Sequence, residues 1–235
     1  RKTLYDAYSE SFSGIKAFDP STQWSVFQGT YRADLLPHKD AKILDIGCGK
    51  GEWLLWMKDI GYENLTGVDG AAAEIAHLSD SGISKFSREA LEFLAETPEK
   101  FDLIHAKDHF EHFTKNEALK YLELCNDRLL PGGEVWILTF NAQSPLSSAT
   151  QYGDFTHELG VTPTSIAQVM IAARLEVKSV HCYVPSGKGA MGRMRRGIFG
   201  LLGIFGEIFL KLRHGSQRQP QNIASRSILP DLFAI

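Results

Sequence analysis

The sequence predicts an α/β fold in three layers, with a mostly parallel seven-stranded sheet at its centre. Three observations predict it. From residue 42 onward, short apolar runs alternate with helix-forming stretches, the pattern of a parallel sheet covered on both faces. The first run passes straight into a glycine-rich turn, Asp45-Ile-Gly47-Cys48-Gly49-Lys-Gly51. A second run ends about twenty residues later on a carboxylate, in Leu65-Thr-Gly-Val-Asp69-Gly70. Strands are expected at 42–46, 64–68, 84–87, 101–106, 133–139 and 175–184, with a last one inside 222–235. All but the third of the strands up to 139 read as continuous apolar runs, as strands buried on both faces do. Pro230 predicts that the later half of 222–235 is an edge or turn rather than a central strand.

Helices are expected at 51–60, 71–79, 89–96 and 115–129, and from Thr162-Pro163 to about Ala173. Thr114 and Glu117 form a capping-box signature, and Pro131-Gly132-Gly133 separates that helix from the next strand. Pro163 occupies a first helical position, where its missing N–H costs nothing. The chain divides into an aromatic helical lead-in (1–40), the α/β domain (41–186), a basic amphipathic arm (187–221) and a final strand region (222–235). The lead-in carries Tyr5, Tyr8, Phe12, Phe18, Trp24, Phe27 and Tyr31, and either covers the mouth of a site or packs on the sheet edge.

Three cysteines, Cys48, Cys125 and Cys182, show no paired spacing, which predicts a reducing, cytoplasmic setting and no disulfide framework. The net charge of −3 conceals an asymmetry. Residues 188–235 hold eight Lys/Arg against Glu207 and Asp231, a balance of +6 that leaves −9 on the other 187 residues. Within the arm, Gly197, Gly200, Gly203 and Gly206 alternate with Ile198, Leu201, Leu202, Phe205, Ile208, Phe209 and Leu212 at near-helical spacing. The apolar stretch falls short of the roughly 20 residues a membrane span needs. Residues 193–213, with Arg193, Arg195, Arg196, Lys211 and Arg213 at their ends, instead suit an interfacial helix on an anionic membrane surface, peripheral at the inner membrane. Self-association into a homo-oligomer and packing on the domain are the alternatives. The basic residues surround an apolar helix rather than interleaving with exposed aromatics, so no nucleic acid is expected.

The turn after the first strand specifies its ligand. A dinucleotide fingerprint needs its third glycine at position 52, against a pyrophosphate. Glu52 stands there, and its carboxylate would repel that group. Asp45 likewise favours a cationic ligand, and Asp69 can accept the hydroxyls of a ribose. At these residues the chain resembles the class I S-adenosylmethionine-dependent methyltransferases, with their D-x-G-x-G-x-G loop and acidic second-strand end. The resemblance covers residues 40–185 and implies a Rossmann-like three-layer sandwich that binds S-adenosyl-L-methionine. It implies that Gly47, Cys48, Gly49 and Gly51 form the donor loop, that Asp69 holds the ribose with Gly70 beside the adenosine, and that Glu89 and Ala90 flank the adenine. Ala106, Lys107 and Asp108 would lie near the methionine end, with Asp45 orienting its ammonium.

Two further constellations suit the acceptor side. Asp108-His109-Phe-Glu111-His112 follows the fourth strand, at the carboxyl edge where open α/β sheets place ligands. A histidine of near-neutral pKa is a natural base for an alcohol or phenol, so His109 and His112 are candidates. These four also have metal-ligand chemistry, but Glu111-His112 matches a pair common in metal-free members of the resembled family, and no metal is expected. The second constellation, Gln151-Tyr-Gly-Asp154-Phe-Thr156-His157-Glu158, lies in a long loop after the fifth strand, and long loops inside compact domains are usually functional. Asp154 and His157 are expected to position a hydroxyl and take its proton. The pattern over 152–168 resembles methyltransferases of bacterial polysaccharide and lipopolysaccharide assembly. The resulting expectation is an enzyme that methylates a sugar hydroxyl, such as one on a lipid-linked surface glycan. The alternatives are methylation of a soluble quinone, phenol or antibiotic sugar, and a non-catalytic donor-binding module of a glycan-assembly complex. In Arg174 the chain departs from the glycine that the resembled family often carries before the sixth strand.

Overall fold

A computed structural model describes residues 20–78, 81–144, 147–183, 193–194, 197–198, 200–201, 204–205, 208, 212 and 231–235. Tyr5, Tyr8, Phe12 and Phe18 of the lead-in, Arg195, Arg196, Lys211 and Arg213 of the arm, and residues 222–230 lie outside the described residues.

The chain enters through helix α1 (Pro20–Tyr31) and then alternates strand and helix: β1 (Lys42–Ile46), α2 (Glu52–Asp59), β2 (Asn64–Asp69), α3 (Ala72–Ile75), β3 (Ser84–Ser87), α4 (Ala90–Glu96), β4 (Phe101–Lys107), α5 (Lys115–Arg128) and β5 (Leu129–Phe140). After β5 come a short α6 (Ser148–Gln151), α7 (Pro163–Ala172), β6 (Val180–Tyr183) and β7 (Asp231–Ala234). The strands form one sheet in the order β3-β2-β1-β4-β5-β7-β6. Strands β1 to β5 are parallel, and β7 runs antiparallel to both β5 and β6.

Two cores sandwich the sheet. On one face α4, α5 and α7 bury Phe93, Leu94, Tyr121, Leu122, Ile166 and Met170 against Leu44, Ile46, Ile104 and Ile137. On the other, α1 and α2 bury Phe27, Tyr31, Trp53, Trp56 and Met57 against Ile43, Leu103, Trp136 and Phe233. In α5 the buried residues Ala118, Tyr121, Leu122 and Cys125 recur at three- and four-residue intervals, one helical stripe. Its capping box is formed: Glu117 N–H donates to Thr114 Oγ1, and Thr114 N–H donates to the Glu117 carboxylate at 2.9 Å. Such a cap contributes about 1 kcal/mol.

Three features differ from the sequence-based expectation. β5 begins at Leu129, without a break at the Pro-Gly-Gly stretch. Its register against β4 jumps from Phe101↔Leu129 to Leu103↔Glu134, so residues 130–133 bulge, with Gly132 at φ 82°. The sixth strand is only four residues long. β7 is central, not an edge: it starts immediately after Pro230 and buries Leu232, Phe233 and Ala234 between β5 and β6. Proline lacks only its own N–H, so a strand that begins one residue later keeps every ladder donor.

Arg174 ends α7 in the left-handed region, at φ 65°. Leu175 N–H reaches Met170 O and Arg174 N–H reaches Ile171 O, both at 3.0 Å, the bond pair of a Schellman motif. An arginine there costs about 1–2 kcal/mol that glycine would not.

Candidate active site

The donor loop is built by backbone. Gly47 N–H and Cys48 N–H both donate to Val68 O, at 2.8 and 3.1 Å, which ties the loop to the end of β2. Gly47, Gly49 and Gly51 all have positive φ, at 70°, 52° and 77°. Packing adds a second demand at two of them. A Cβ on Gly47 would lie 2.5 Å from the His109 ring, and one on Gly51 would lie 2.2 Å from Leu78. Gly49 has open space where its Cβ would be.

The carboxylate of Asp69 locks this loop to β2. Its Oδ2 accepts Gly49 N–H and its Oδ1 accepts Ala71 N–H, both at 2.8 Å. Burial raises its pKa, and the two backbone donors oppose that rise. Each oxygen keeps a second lone pair for a ligand hydroxyl. Glu89 stands beside Gly70, its Oε1 only 2.9 Å from where a Cβ would sit. Ala90 opens α4 next to it. The predicted ribose and adenine residues are therefore brought together at the carboxyl ends of β1 to β3, and they fit an adenosine-bearing donor. Cys48 packs inward against Gly67, and burial pushes its thiol pKa up, so it supplies packing rather than a reactive thiolate.

Asp45 is held by its own strand neighbours. It is buried, and His105 Nδ1 lies 2.7 Å from its Oδ1. The other ring nitrogen of His105 meets Tyr31 Oη at 2.9 Å, and Trp53 stacks on the ring at 3.8 Å. Asp45 thus anchors the root of the donor loop to β4 and α1. His105 escapes a reading of the sequence alone. Its signal is the in-register pairing Asp45↔His105, which sets a histidine in an apolar strand beside a buried carboxylate. Helix α1 packs on a face of the sheet, over β4, β5 and β7, rather than on its edge. Phe27 and Tyr31 pack in the core, and Val26, Phe27, Thr30 and Tyr31 line a cavity of about 120 Å³ with Lys107 and Asp108. A cleft of about 450 Å³ at the opposite edge of the sheet, around Pro131 and Arg174, contains none of the predicted site residues.

After β4 the residues separate by role. Ala106 is buried in the strand. Asp108 takes a left-handed φ of 51°, a strain found at functional turns, and pairs with Lys107. Burial lowers the Lys107 pKa, but the charge and hydrogen bond of Asp108, with the charges of Glu111 and Glu52, together raise it overall. Glu111 is buried and accepts a hydrogen bond from Thr139 Oγ1 at 2.8 Å. Burial, with the charge of Asp108, pushes its pKa up to about 8. His109 packs over Gly47, so it belongs to the donor wall, with its ring centroid 6.3 Å from that of His112.

The long loop after β5 is pinned onto this turn. Glu158 N–H and Leu159 N–H both donate to Glu111 O at 2.9 Å. That pinning brings His157 to His112, with ring centroids 4.8 Å apart. Asp154 joins them, with its Oδ2 3.9 Å from His157 Nε2. Thr156 links Asp154 and His112, and the sequence does not single it out. Its N–H and Oγ1 bond Asp154 Oδ1 at 2.8 and 2.7 Å, and its Oγ1 also meets His112 Nδ1 at 2.9 Å. The only local signal is Asp154-x-Thr156, an Asx-turn spacing. Of the four metal-ligand types after β4, only His112 reaches this cluster. The carboxylates of Glu111 and Asp108 are engaged by Thr139 and Lys107.

Comparison with known proteins agrees with this geometry. A protein-family model described as a methyltransferase domain matches residues 27–180. A ubiquinone biosynthesis O-methyltransferase from Chelativorans sp. is 34% identical over 110 residues, 45% of this chain and 42% of that protein. The chain spans less than half the length of the curated relatives it matches. Among solved structures, a SAM-dependent methyltransferase from Archaeoglobus fulgidus superposes with a TM-score of 0.63 at 20% identity, over 98% of this chain and 97% of that one. The plantazolicin methyltransferase, solved in complex with a triazolic desmethylPZN analog and SAH, gives 0.58 at 18% identity, over 99% and 88%. With a glycine loop, a second-strand carboxylate and a sheet order that all agree with the family match, the chain belongs to the methyltransferase-domain family.

Proposed function

We propose that this chain transfers a methyl group from S-adenosylmethionine to a ring hydroxyl of a quinol- or catechol-type acceptor. Bound at the donor loop, S-adenosylmethionine supplies a methyl on a sulfonium, so that a C–O bond forms as the C–S bond breaks and the hydroxyl proton is released. The residues Gly47, Gly49, Gly51, Asp69, Gly70 and Glu89 hold the donor. The observation that carries the reading is a continuous row of histidines. His109 packs on the donor loop, His112 stands next to it, and His157 closes the row from the acceptor loop. An acceptor oxygen aligned with the donor methyl therefore meets the His112–Asp154–His157 cluster, where its proton is drawn off.

The names of the ubiquinone relatives support an aromatic hydroxyl over the sugar hydroxyl expected from residues 152–168. The test supplies labelled donor with a catechol-bearing quinol precursor and, separately, a sugar acceptor. Label on the quinol is the expected outcome. His157→Gln should lower its turnover by about 10²–10⁴-fold with donor affinity unchanged. Full turnover in that variant, or label on the sugar alone, overturns the reading.

The arm fits the same acceptor class. Its described residues are helical, and Met194, Ile198, Leu201, Phe205, Ile208 and Leu212 are exposed at alternating four- and three-residue steps. No helix of the described residues is long and apolar enough to cross a membrane. An apolar stripe with basic ends would instead lie on an anionic lipid surface, where an apolar quinol dissolves. Anionic phospholipid vesicles should sediment the wild-type chain and release a Leu201→Asp/Phe205→Asp variant, and equal behaviour of the two removes this role.

A further inference from the structure

We propose that His112, Asp154 and His157 form a site for one divalent transition-metal ion of the zinc class. One ligand atom from each of the three lies within 4.8 Å of the others. The side chains of Asp154 and His157 are only 11% and 9% exposed, so water competes weakly there. Ligand atoms around a tetrahedral zinc stand about 3.3 Å apart, given bonds of about 2.0 Å. The widest separation therefore needs to draw in by up to about 1.5 Å, within reach of rotamer adjustment on a loop.

The hydrogen bonds around the cluster fix each group in a ligating state. Thr156 Oγ1 has one hydrogen. Asp154 Oδ1, which can only accept when ionised, takes it at 2.7 Å. The contact between Thr156 Oγ1 and His112 Nδ1 must then have the imidazole as donor, which is consistent with Thr156 O standing 3.4 Å from the same nitrogen. His112 consequently carries its proton on Nδ1 and its lone pair on Nε2. His157 Nδ1 lies 3.0 Å from Thr150 O, a carbonyl that only accepts, so His157 takes the same tautomer. Its Nε2 faces Asp154 Oδ2. Both imidazoles thus donate Nδ1–H to an oxygen, and the carboxylate is steadied through its other oxygen. This outer ring of partners is characteristic of ligating histidines, where it sets the tautomer and raises basicity. Two nitrogens and one carboxylate oxygen select a zinc-class ion over magnesium or calcium, which prefer all-oxygen shells. Three protein ligands leave coordination positions for an exchangeable oxygen.

The role of the ion rests on the acceptor reading above: a hydroxyl bound to it releases its proton to water more readily, so the loaded cluster draws the proton off through the ion, with His112 and His157 acting as ligands and not as the base. Binding itself does not rest on that reading. Chelator-stripped full-length chain should be titrated with Co²⁺ and with Zn²⁺, followed by calorimetry and by the visible ligand-field absorption of Co²⁺. One ion per chain is expected. His157→Gln and Asp154→Asn should abolish the ligand-field signature. Thr156→Val, which leaves the three ligands in place, should weaken binding about 10–100-fold. Retained donor binding shows that each variant is folded. No stoichiometric ion in the wild type, or equal binding by His157→Gln and Asp154→Asn, overturns the site. Full methylation of a quinol by metal-free protein would also overturn the role of the ion while leaving the acceptor assignment intact. A bound ion without quinol methylation would overturn the acceptor assignment, and with it the role of the ion, while leaving the site itself intact.

Discussion

The proposed donor and acceptor ends of this site are held by different means. The donor end is backbone: three glycines at positive φ, two N–H groups on Val68 O, and a carboxylate that takes two further N–H groups. All of it lies between residues 45 and 90. The acceptor end is side chain, and it exists only because the loop after β5 folds back onto the turn after β4. His112 and His157 meet across 45 positions of sequence. A site held by local backbone geometry fails through strain. One held by a loop docked onto a distant turn fails through misplacement, with the fold left standing.

The largest effect is expected at Gly51. Alanine there meets both a left-handed φ of 77° and the buried Leu78 side chain at 2.2 Å. The conformational cost and the overpacking together predict a loss of about 2–4 kcal/mol in denaturant unfolding, with donor affinity falling as the loop distorts. Gly49→Ala sharpens the point. It shares the positive φ but has nothing within 4 Å of the new methyl, so it should lose only about 1–2 kcal/mol. Equal losses at the two positions would mean that conformation alone governs the loop, and that its packing on Leu78 is irrelevant.

The same contrast explains what can be read in the sequence. The donor loop, Asp69, the helix caps and the run of parallel strands are legible because each depends on residues a few positions apart. The capping box at Thr114 stands where its spacing puts it, and α7 opens at Thr162-Pro163 as the proline predicts. His109, His112, Asp154 and His157 are each recognisable as polar groups in functional loops, but their grouping is not. Nothing in residues 108–112 announces that Glu111 O will capture two N–H groups from residues 158 and 159. That docking places His112 with the loop residues and leaves His109 on the donor wall. The partner of Asp45 is hidden as well. Strand register sets it beside His105, a histidine that looks like one apolar-strand residue among others. The central position of β7 is hidden for a similar reason. Pro230 argues locally against a strand, whereas the unpaired edges of β5 and β6 favour inserting one directly after it.

A smaller effect on stability, and a sharper one on function, is expected from Glu158→Pro. The Glu158 side chain is exposed, so its loss removes little packing. Proline removes the N–H that donates to Glu111 O, while Leu159 N–H still reaches the same carbonyl. The loss of one neutral backbone bond predicts about 1 kcal/mol in unfolding free energy. The loop then holds to the turn by one bond, and Asp154 and His157 lose their fixed distance to His112. Misplacement by about an ångström can cost about 10²-fold in rate, so quinol turnover should fall at least tenfold. Donor affinity should stay within about twofold, because no donor-loop residue touches this bond. Isothermal titration with donor and initial-rate measurement on the same preparation separate the two. If turnover and donor affinity fall together, the two ends are one mechanical unit and their contrast is broken. If turnover alone falls, the β5–α7 loop is the element that can be rebuilt for a new acceptor without disturbing the donor it depends on.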